Sequence, residues 1–570
     1  MTDAAPTSAA TLPLAGPGEP FEIVEEDVLG ERMDVYRNRP RSLREVLASS
    51  AAHGDALYVV CGDERVTYAD HLQRVAAFAR VLRDEYGVGR GDRVAILAAN
   101  CPEWIVAFWA TVSLGAICAS MNAWWADPEL EYALAHSEPV VVVADADRLA
   151  RVRAVVPDAA GVSFRTIETG AEFAALVERG RGAAPPDTPT LPADDIAEDD
   201  PAVLLYTSGT TGRSKGALAS HRSICGMITS SHHSGAVAML AAAASGVTDP
   251  AAARPAGQSV ALVTVPLFHA SGLYGFVVLQ LVSGGRVVLR PGRFDPDDVL
   301  HLIEEEHVTM WSALGSMGPR VAERALASGR DTSSLTVLAV GGAPVSPAQQ
   351  EILRAAFPHA QNSVSMGYAS SESIGTITRT GGAEMREHPT SAGRVLPTVQ
   401  LEIRGPDDAP LPDGVEGEIH VRSPYLMLGY WRDQAATDEV IKPGRWLAMG
   451  DVGSMREGRL FINSRARDMI LVNAENVFPT EVEFRLDDHP AVRECAVVGV
   501  DDIMTGQAVC AVVVLDAAAG ITVDELRAWC REGMAGYKVP TQWVLREEAL
   551  PRNPSGKVLK RELIQEFSGD

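Results

Sequence analysis

The run Tyr206-Thr207-Ser208-Gly209-Thr210-Thr211-Gly212-Arg213-Ser214-Lys215-Gly216 constrains this chain more than any other stretch. It follows the apolar residues Ala202-Val203-Leu204-Leu205, so it reads as a loop leaving the end of a buried strand. Gly209, Gly212 and Gly216 let the backbone take positive φ and come close to a ligand. The hydroxyls of Thr207, Ser208, Thr210 and Thr211, with backbone N–H groups, can cradle phosphate oxygens, and Lys215 can neutralise them. The commonest phosphate loop is excluded: it needs Lys and Ser or Thr directly after its second glycine, and here Gly212 is followed by Arg213-Ser214-Lys215. Alone, the loop says phosphate and no more.

The rest of the chain bounds the ligand class. At 570 residues, 46% hydrophobic and 22% charged, it reads as an ordinary globular protein of several domains. A formal net charge of −25 argues against nucleic acid or an anionic membrane as partner. No run approaches the roughly 18 apolar residues of a membrane span. The N-terminus lacks the basic start and apolar core of a secretory signal. The seven scattered cysteines show no metal-like spacing and read as reduced thiols, so cytoplasmic is the default location.

Along the chain, residues 1–40 read as a flexible arm. Arg93-Val94-Ala95-Ile96-Leu97, Val140-Val141-Val142-Val143, Ala261-Leu262-Val263-Thr264-Val265 and Thr336-Val337-Leu338-Ala339-Val340 read as short buried strands. Helical patterns such as Glu103-Trp104-Ile105-Val106-Ala107-Phe108-Trp109 lie between them, which implies layered α/β structure. Residues 235–258, rich in Ala, Gly and Pro, read as a surface insertion. From about residue 398, short strands and turns such as Leu411-Pro412-Asp413-Gly414 suggest a β-rich subdomain. The last hundred or so residues read as a small separate α+β domain. The predicted architecture is therefore α/β: an arm at 1–40, a large domain at 41–465 and a small mobile domain at 468–570, joined near Arg465-Ala466-Arg467-Asp468.

Five further segments concentrate chemistry. Pro266-Leu267-Phe268-His269-Ala270-Ser271-Gly272 puts a histidine after a strand. Gly341-Gly342-Ala343-Pro344 follows another, where backbone can pass close to a flat ligand. Tyr368-Ala369-Ser370-Ser371-Glu372 offers a ring to stack on a base and a carboxylate for Mg²⁺. Met449-Gly450-Asp451 places a carboxylate in what reads as a tight turn, suited to paired ribose hydroxyls. Asn553-Pro554-Ser555-Gly556-Lys557 puts a lysine on a Gly/Pro loop. Each alone reads as ordinary structure: a core histidine, a strand-to-helix turn, a solvated lysine.

Together and in this order, from about residue 45 to 565, they resemble the adenylate-forming enzymes, the family of acyl-CoA synthetases, firefly luciferases and peptide-synthetase adenylation domains. Arg465-Ala466-Arg467-Asp468-Met469-Ile470, Glu475-Asn476-Val477-Phe478-Pro479 and Tyr537-Lys538-Val539-Pro540 fit the same pattern. The resemblance implies ATP, Mg²⁺ and coenzyme A as partners of a small carboxylic acid, with homodimerisation left open. It implies that residues 207–212 and Lys215 hold the β- and γ-phosphates, Ser371 the α-phosphate and Glu372 the metal. Gly342, Ala343, Pro344 and Tyr368 would frame adenine, and Asp451 with Arg465 would take the ribose. Lys557 would be the catalytic lysine, His269 would orient the acid, and Arg467 would be the hinge about which the small domain swings between adenylation and thiol transfer. The acyl pocket would run past Gly272, Ser316, Met317, Gly341, Met366 and Gly367, small or apolar residues that favour a hydrophobic acid, fatty or else aromatic or polycyclic. The chain departs from the pattern at Asn473-Ala474, where two glycines are usual along the thiol path, at Ala369, at Ser371 and at Met449. The first departure keeps a carrier-protein loader as the alternative to a CoA ligase. A catalytically silent nucleotide binder is the reading from another class, and the intact Lys215, Glu372, Asp451 and Lys557 argue against it.

Overall fold

The computed structural model describes residues 13–156, 164–183, 190–192, 195–207, 214–244, 257–290, 292–315, 317–342, 345–465, 468–472, 475–502, 506–516, 520–553 and 556–568. Two large sheets share one apolar core. The first, of seven strands, runs in the order Gly429–Tyr430, Lys215–Ser220, Pro201–Thr207, Ile117–Ser120, Arg93–Leu97, Val141–Ala144, Arg165–Glu168. Its last five strands are parallel. Near-continuous runs such as Val-Ala-Ile-Leu suit strands covered on both faces, and 94–97 are all buried. Helix Pro102–Ser113 is apolar almost all round and carries Trp104, Phe108 and Trp109 into the core. Helices with that pattern are interior ones.

The second sheet has fourteen strands. Leu57–Cys61, Arg286–Leu289, Val260–Val263, Met310–Leu314, Val337–Gly341 and Ser365–Tyr368 are parallel neighbours. At Thr378–Gly381 the pairing turns antiparallel and continues through the β-rich region to Gln400–Arg404. That region is therefore hydrogen-bonded into the α/β sheet rather than set apart from it. Ligands of open parallel sheets bind beyond the carboxyl ends of the strands. The histidine segment follows Val260–Val263, the glycine pair ends Val337–Gly341, and Tyr368 ends Ser365–Tyr368.

Residues 470–568 form a smaller unit around antiparallel strands Val492–Asp502 and Gly506–Leu515, with Gln542–Arg546 parallel to the latter. Its apolar clusters, built on Ile470, Val482, Val497, Val513 and Leu526 and on Ala496, Val512, Leu550 and Leu563, are separate from the main core. A unit with its own core can move as a body.

Three expectations need correction. Residues 13–40 are not a loose arm: Ile23–Val28 and Glu31–Tyr36 form an antiparallel hairpin. The Arg39 side chain, only 2% exposed, ties it down through Glu26 at 2.7 Å and Glu198 at 2.9 Å. Of the segment 235–258, residues 235–244 are regular structure, the second half of helix His221–Ala244, and residues 245–256 lie outside the described residues. Asp451 is not in a turn: it lies inside strand Trp446–Arg456, where Gly450 at φ +69° bends the chain just before it.

Candidate active site

Thr207 and Lys215 are register partners at the loop end of the hairpin formed by Pro201–Thr207 and Lys215–Ser220, and the Thr207 hydroxyl donates to the Lys215 carbonyl at 3.3 Å. The hairpin brings the two ends of the hydroxyl-rich loop together. Ser208, Gly209, Thr210, Thr211 and Gly212 lie outside the described residues, as do Ser316, Ala343, Pro344, Arg467, Asn473, Ala474 and the side chain of Arg465. The Lys215 ammonium stands 5.1 Å from the Tyr430 ring centre and 4.0 Å from Glu439.

Tyr430 also reaches the turn that holds Ser371 and Glu372. Its hydroxyl donates to Glu372 Oε1 at 2.9 Å, so one tyrosine links the loop lysine to the carboxylate. Burial, and then the Glu372 charge, push the Tyr430 phenol far up, which keeps it a donor. The turn is locked by reciprocal hydrogen bonds: Ser370 N–H to Ser373 Oγ at 2.9 Å and Ser373 N–H to Ser370 Oγ at 3.2 Å. Ile374 follows at φ +59° while buried, a left-handed conformation that costs a β-branched residue about 1–3 kcal/mol. Surrounding packing holds that strain next to the carboxylate.

The residues expected to take the nucleoside converge. Tyr368 donates its phenol to Asp451 Oδ2 at 2.5 Å, and Asp451 pairs in register with Arg465 on the neighbouring strand. Gly342, at φ +75°, is exposed where the chain leaves strand Val337–Gly341.

On the side expected to hold the acid, His269 is half-buried, and its buried Nε2 has no partner among the described residues. Desolvation pushes its pKa down to about 4, so the imidazole is neutral near pH 7 and can present an uncharged N–H. Gly272 packs on the Pro266 carbonyl so closely that a Cβ would collide with it. A π-helical stretch follows over Leu273–Val278, a widened turn of the kind often found at functional sites. Met317 is buried, Gly341 is buried with nothing closer than 4.0 Å to an added Cβ, Met366 is half-buried, and Gly367 is pressed against Thr376.

Asn100, which drew no notice in the sequence, fixes this wall. Its side chain donates to the Val265 carbonyl and accepts from Leu267 N–H, both at 2.9 Å, pinning the histidine segment to the other sheet. Truncation orphans two buried backbone groups, at about 1–3 kcal/mol. Asn100→Ala should therefore raise KM for the acid several-fold and leave KM for ATP nearly unchanged, as steady-state kinetics can check.

Lys557 comes from the small domain. Its loop is braced by Asn553, whose Oδ1 accepts Lys557 N–H and whose N–H donates to the Lys557 carbonyl, both at 2.9 Å. Arg552 donates to the Gly556 carbonyl at 2.9 Å and pairs with Glu494 at 2.8 Å. The loop seats against Gly315, at the carboxyl end of strand Met310–Leu314: a Cβ on Gly315 would lie 2.7 Å from the Gly556 carbonyl oxygen. Gly315, Tyr430 and Asn100 are the site residues that sequence reasoning missed. Only Gly315 carried a local signal, as a glycine directly after an apolar strand.

Comparison with known proteins shows the family. The family described as AMP-binding enzyme matches residues 47–431, and that described as AMP-binding enzyme C-terminal domain matches residues 481–557. A feruloyl-CoA synthase from Amycolatopsis sp is 36% identical over 507 residues, spanning 89% of this chain and 95% of that protein. Long-chain-fatty-acid–CoA ligase FadD13 of Mycobacterium tuberculosis is 32% identical, spanning 89% of this chain and 94% of its own length. The solved structure of amide bond synthetase McbA from Marinactinospora thermotolerans superposes with a TM-score of 0.79 at 29% identity, covering 92% of this chain and 99% of that one. The architecture, a large α/β domain with a small C-terminal one, is that of the adenylate-forming enzymes. The chain belongs to the AMP-binding enzyme family, and within it to the acyl-CoA synthetase-like members.

Proposed function

We propose that this acid–CoA ligase activates a hydrophobic carboxylic acid, with an alkyl or aryl chain, and that the residues described above carry both half-reactions. The observation that carries the reading is the seating of the Lys557 loop on Gly315, at the carboxyl end of the parallel strands where Tyr368 reaches Asp451 and the Glu372 turn follows. In the first half-reaction a carboxylate oxygen bonds to the α-phosphorus of ATP, the bond to the bridging oxygen breaks, and pyrophosphate leaves. Two anions must meet, so placed cations and donors do the catalysis. Lys557 bridges the acid and the α-phosphate. Lys215 and the hydroxyl loop hold the departing pyrophosphate. Neutral His269 orients the acid without adding charge.

Glu372 is a single carboxylate linked through Tyr430 to Lys215, a donor that suits Mg²⁺, which takes one or two carboxylates and completes its shell with phosphates and water; bound there, the ion would neutralise charge on the phosphates. Tyr430 holds Glu372 by one oxygen and leaves the other available. Tyr368 and Asp451 take the adenosine. In the second half-reaction the CoA thiol attacks the acyl carbonyl and loses its proton, the carbonyl carbon–oxygen bond of the acyl–phosphate anhydride breaks, and AMP leaves. The small domain withdraws Lys557 to admit the thiol, a domain rearrangement about a hinge at Arg467.

The hydrophobic acid is supported by the walls: Gly272, Met317, Gly341, Met366 and Gly367 supply no charge, and Phe268 with Trp124 adds an aromatic pair 5.0 Å apart. A pyrophosphate-release screen of ferulic and indoleacetic acids, fatty acids of graded length, dicarboxylic acids and amino acids tests it. Apolar acids should be the substrates, with AMP release dependent on CoA. Preference for a dicarboxylic or amino acid would remove the hydrophobic reading.

A further inference from the structure

The small domain touches the large one at a second place, far in sequence from Lys557. Asp487 ends helix Pro479–Asp487 of the small domain, and its Oδ2 accepts a hydrogen bond from Gln349 Nε2 of the large domain at 3.1 Å. Gln349 is the third residue of helix Pro347–Ala356, which begins just after the glycine turn assigned to adenine. The same Gln349 caps that helix: its Oε1 accepts Ser346 N–H, and Ser346 Oγ accepts Gln349 N–H, both at 3.3 Å. One side chain thus spends its acceptor on its own helix and its donor on the other domain. On the far side Asp487 Oδ1 accepts from the Cys495 thiol at 3.2 Å, which fixes the carboxylate's direction. Arg493 and Glu323 also meet across the domains, at 3.4 Å, but this ion pair is exposed on both sides and weak by nature.

We propose that Gln349 and Asp487 form an interdomain latch that holds the small domain in the orientation presenting Lys557, so that both are positioning residues for the adenylation half-reaction and not for thiol transfer. This rests on the two-orientation reading of the function given above. The latch sits at the N-terminus of the helix that follows the adenine turn, so nucleotide in that turn and the docked domain bear on the same element.

The latch has an electrostatic signature. Burial, with the Glu483 and Asp488 charges adding to it, raises the Asp487 carboxyl to about 6 despite hydrogen bonds from Cys495 and Ser346. Glu483 is itself paired with Lys560 at 2.6 Å. A second carboxylate placed at residue 349 would therefore repel Asp487 at neutral pH and share a proton with it at lower pH.

Gln349→Glu is the test, because glutamate serves the helix cap as well as glutamine does and alters only the contact across the domains. At pH 8 the variant should form pyrophosphate about tenfold more slowly with an accepted acid. Its CoA transfer from supplied acyl-adenylate should match wild type. Hydrogen exchange in the ligand-free protein should rise at the loop around Lys557 and at Gly315. Lowering the pH to about 6 should narrow the gap to wild type, and adding Asp487→Asn should close it by supplying a donor to the new carboxylate. Equal slowing of both half-reactions, or unchanged exchange at the Lys557 loop, or no rescue by Asp487→Asn, would overturn the latch. If wild type itself releases no pyrophosphate with any acid, the functional reading fails on that result alone, while the exchange comparison still decides the latch.

Discussion

Lys557→Ala is expected to abolish acyl-adenylate formation while sparing transfer to CoA from supplied acyl-adenylate. The reasoning is electrostatic. The first half-reaction brings a carboxylate onto a polyphosphate, and a fixed ammonium on the path of developing charge contributes a few kcal/mol, or roughly 10²–10³ in rate, when removed. The second half-reaction expels AMP from a mixed anhydride that is already activated, and in the proposed cycle it runs with the lysine loop withdrawn. Lys557 is held through its own backbone by Asn553, and the brace from Arg552 lies beside it, so the truncation should leave the loop folded. Melting temperature should therefore be close to wild type. The split between half-reactions, measured as pyrophosphate release against CoA-dependent AMP release, is the diagnostic quantity.

A Cβ at Gly315 should mimic that defect without touching the lysine. Gly315 has φ +54°, and an added Cβ would stand 2.7 Å from the Gly556 carbonyl oxygen, inside the range that real contacts essentially never reach. The obstacle is backbone, so nothing flexible can yield. Gly315→Ala mixes this clash with the cost of an alanine at positive φ, about 1 kcal/mol. Gly315→Asn separates the two, since asparagine tolerates the left-handed region. Both variants should adenylate slowly, by about 10² or more if the lysine loop cannot seat, and both should transfer supplied acyl-adenylate at near wild-type rate. Normal adenylation in Gly315→Asn would mean that the loop does not work from this seat.

Legibility in the sequence followed locality. Arg93–Leu97 was read to the residue because a strand covered on both faces is an apolar run whose ends are polar. Helix Pro102–Ser113 was found from its aromatic and aliphatic residues, but it begins one residue earlier than the pattern suggested, at Pro102, and runs on past Trp109 to Ser113. The order of the motifs pointed to the family, and each conveyed little alone. What failed was set by partners distant in the chain. The N-terminal hairpin looked like an arm because its polar, acidic strands have little apolar pattern; it is held by an arginine reaching Glu198, far along the sequence. Residues 235–244 looked like low complexity because alanine and glycine carry no amphipathic signal, yet they continue a helix begun at His221. Tyr430 owes its place between Lys215 and Glu372 to the pairing of Gly429–Tyr430 with Leu218 and Ala217. Asn100 bridges two sheets, and the Gln349–Asp487 contact two domains, so neither had a local signature.

The described residues include no helix long and apolar enough to cross a membrane.

The central claim is that the acid is activated at the α-phosphorus of ATP. It is tested most directly by following the label from an accepted acid whose carboxylate carries heavy oxygen. Attack at the α-phosphorus leaves one labelled oxygen in AMP after CoA displaces it, and none in pyrophosphate. The account predicts labelled AMP, one labelled oxygen per turnover. Label in inorganic phosphate with ADP as the nucleotide product would contradict it.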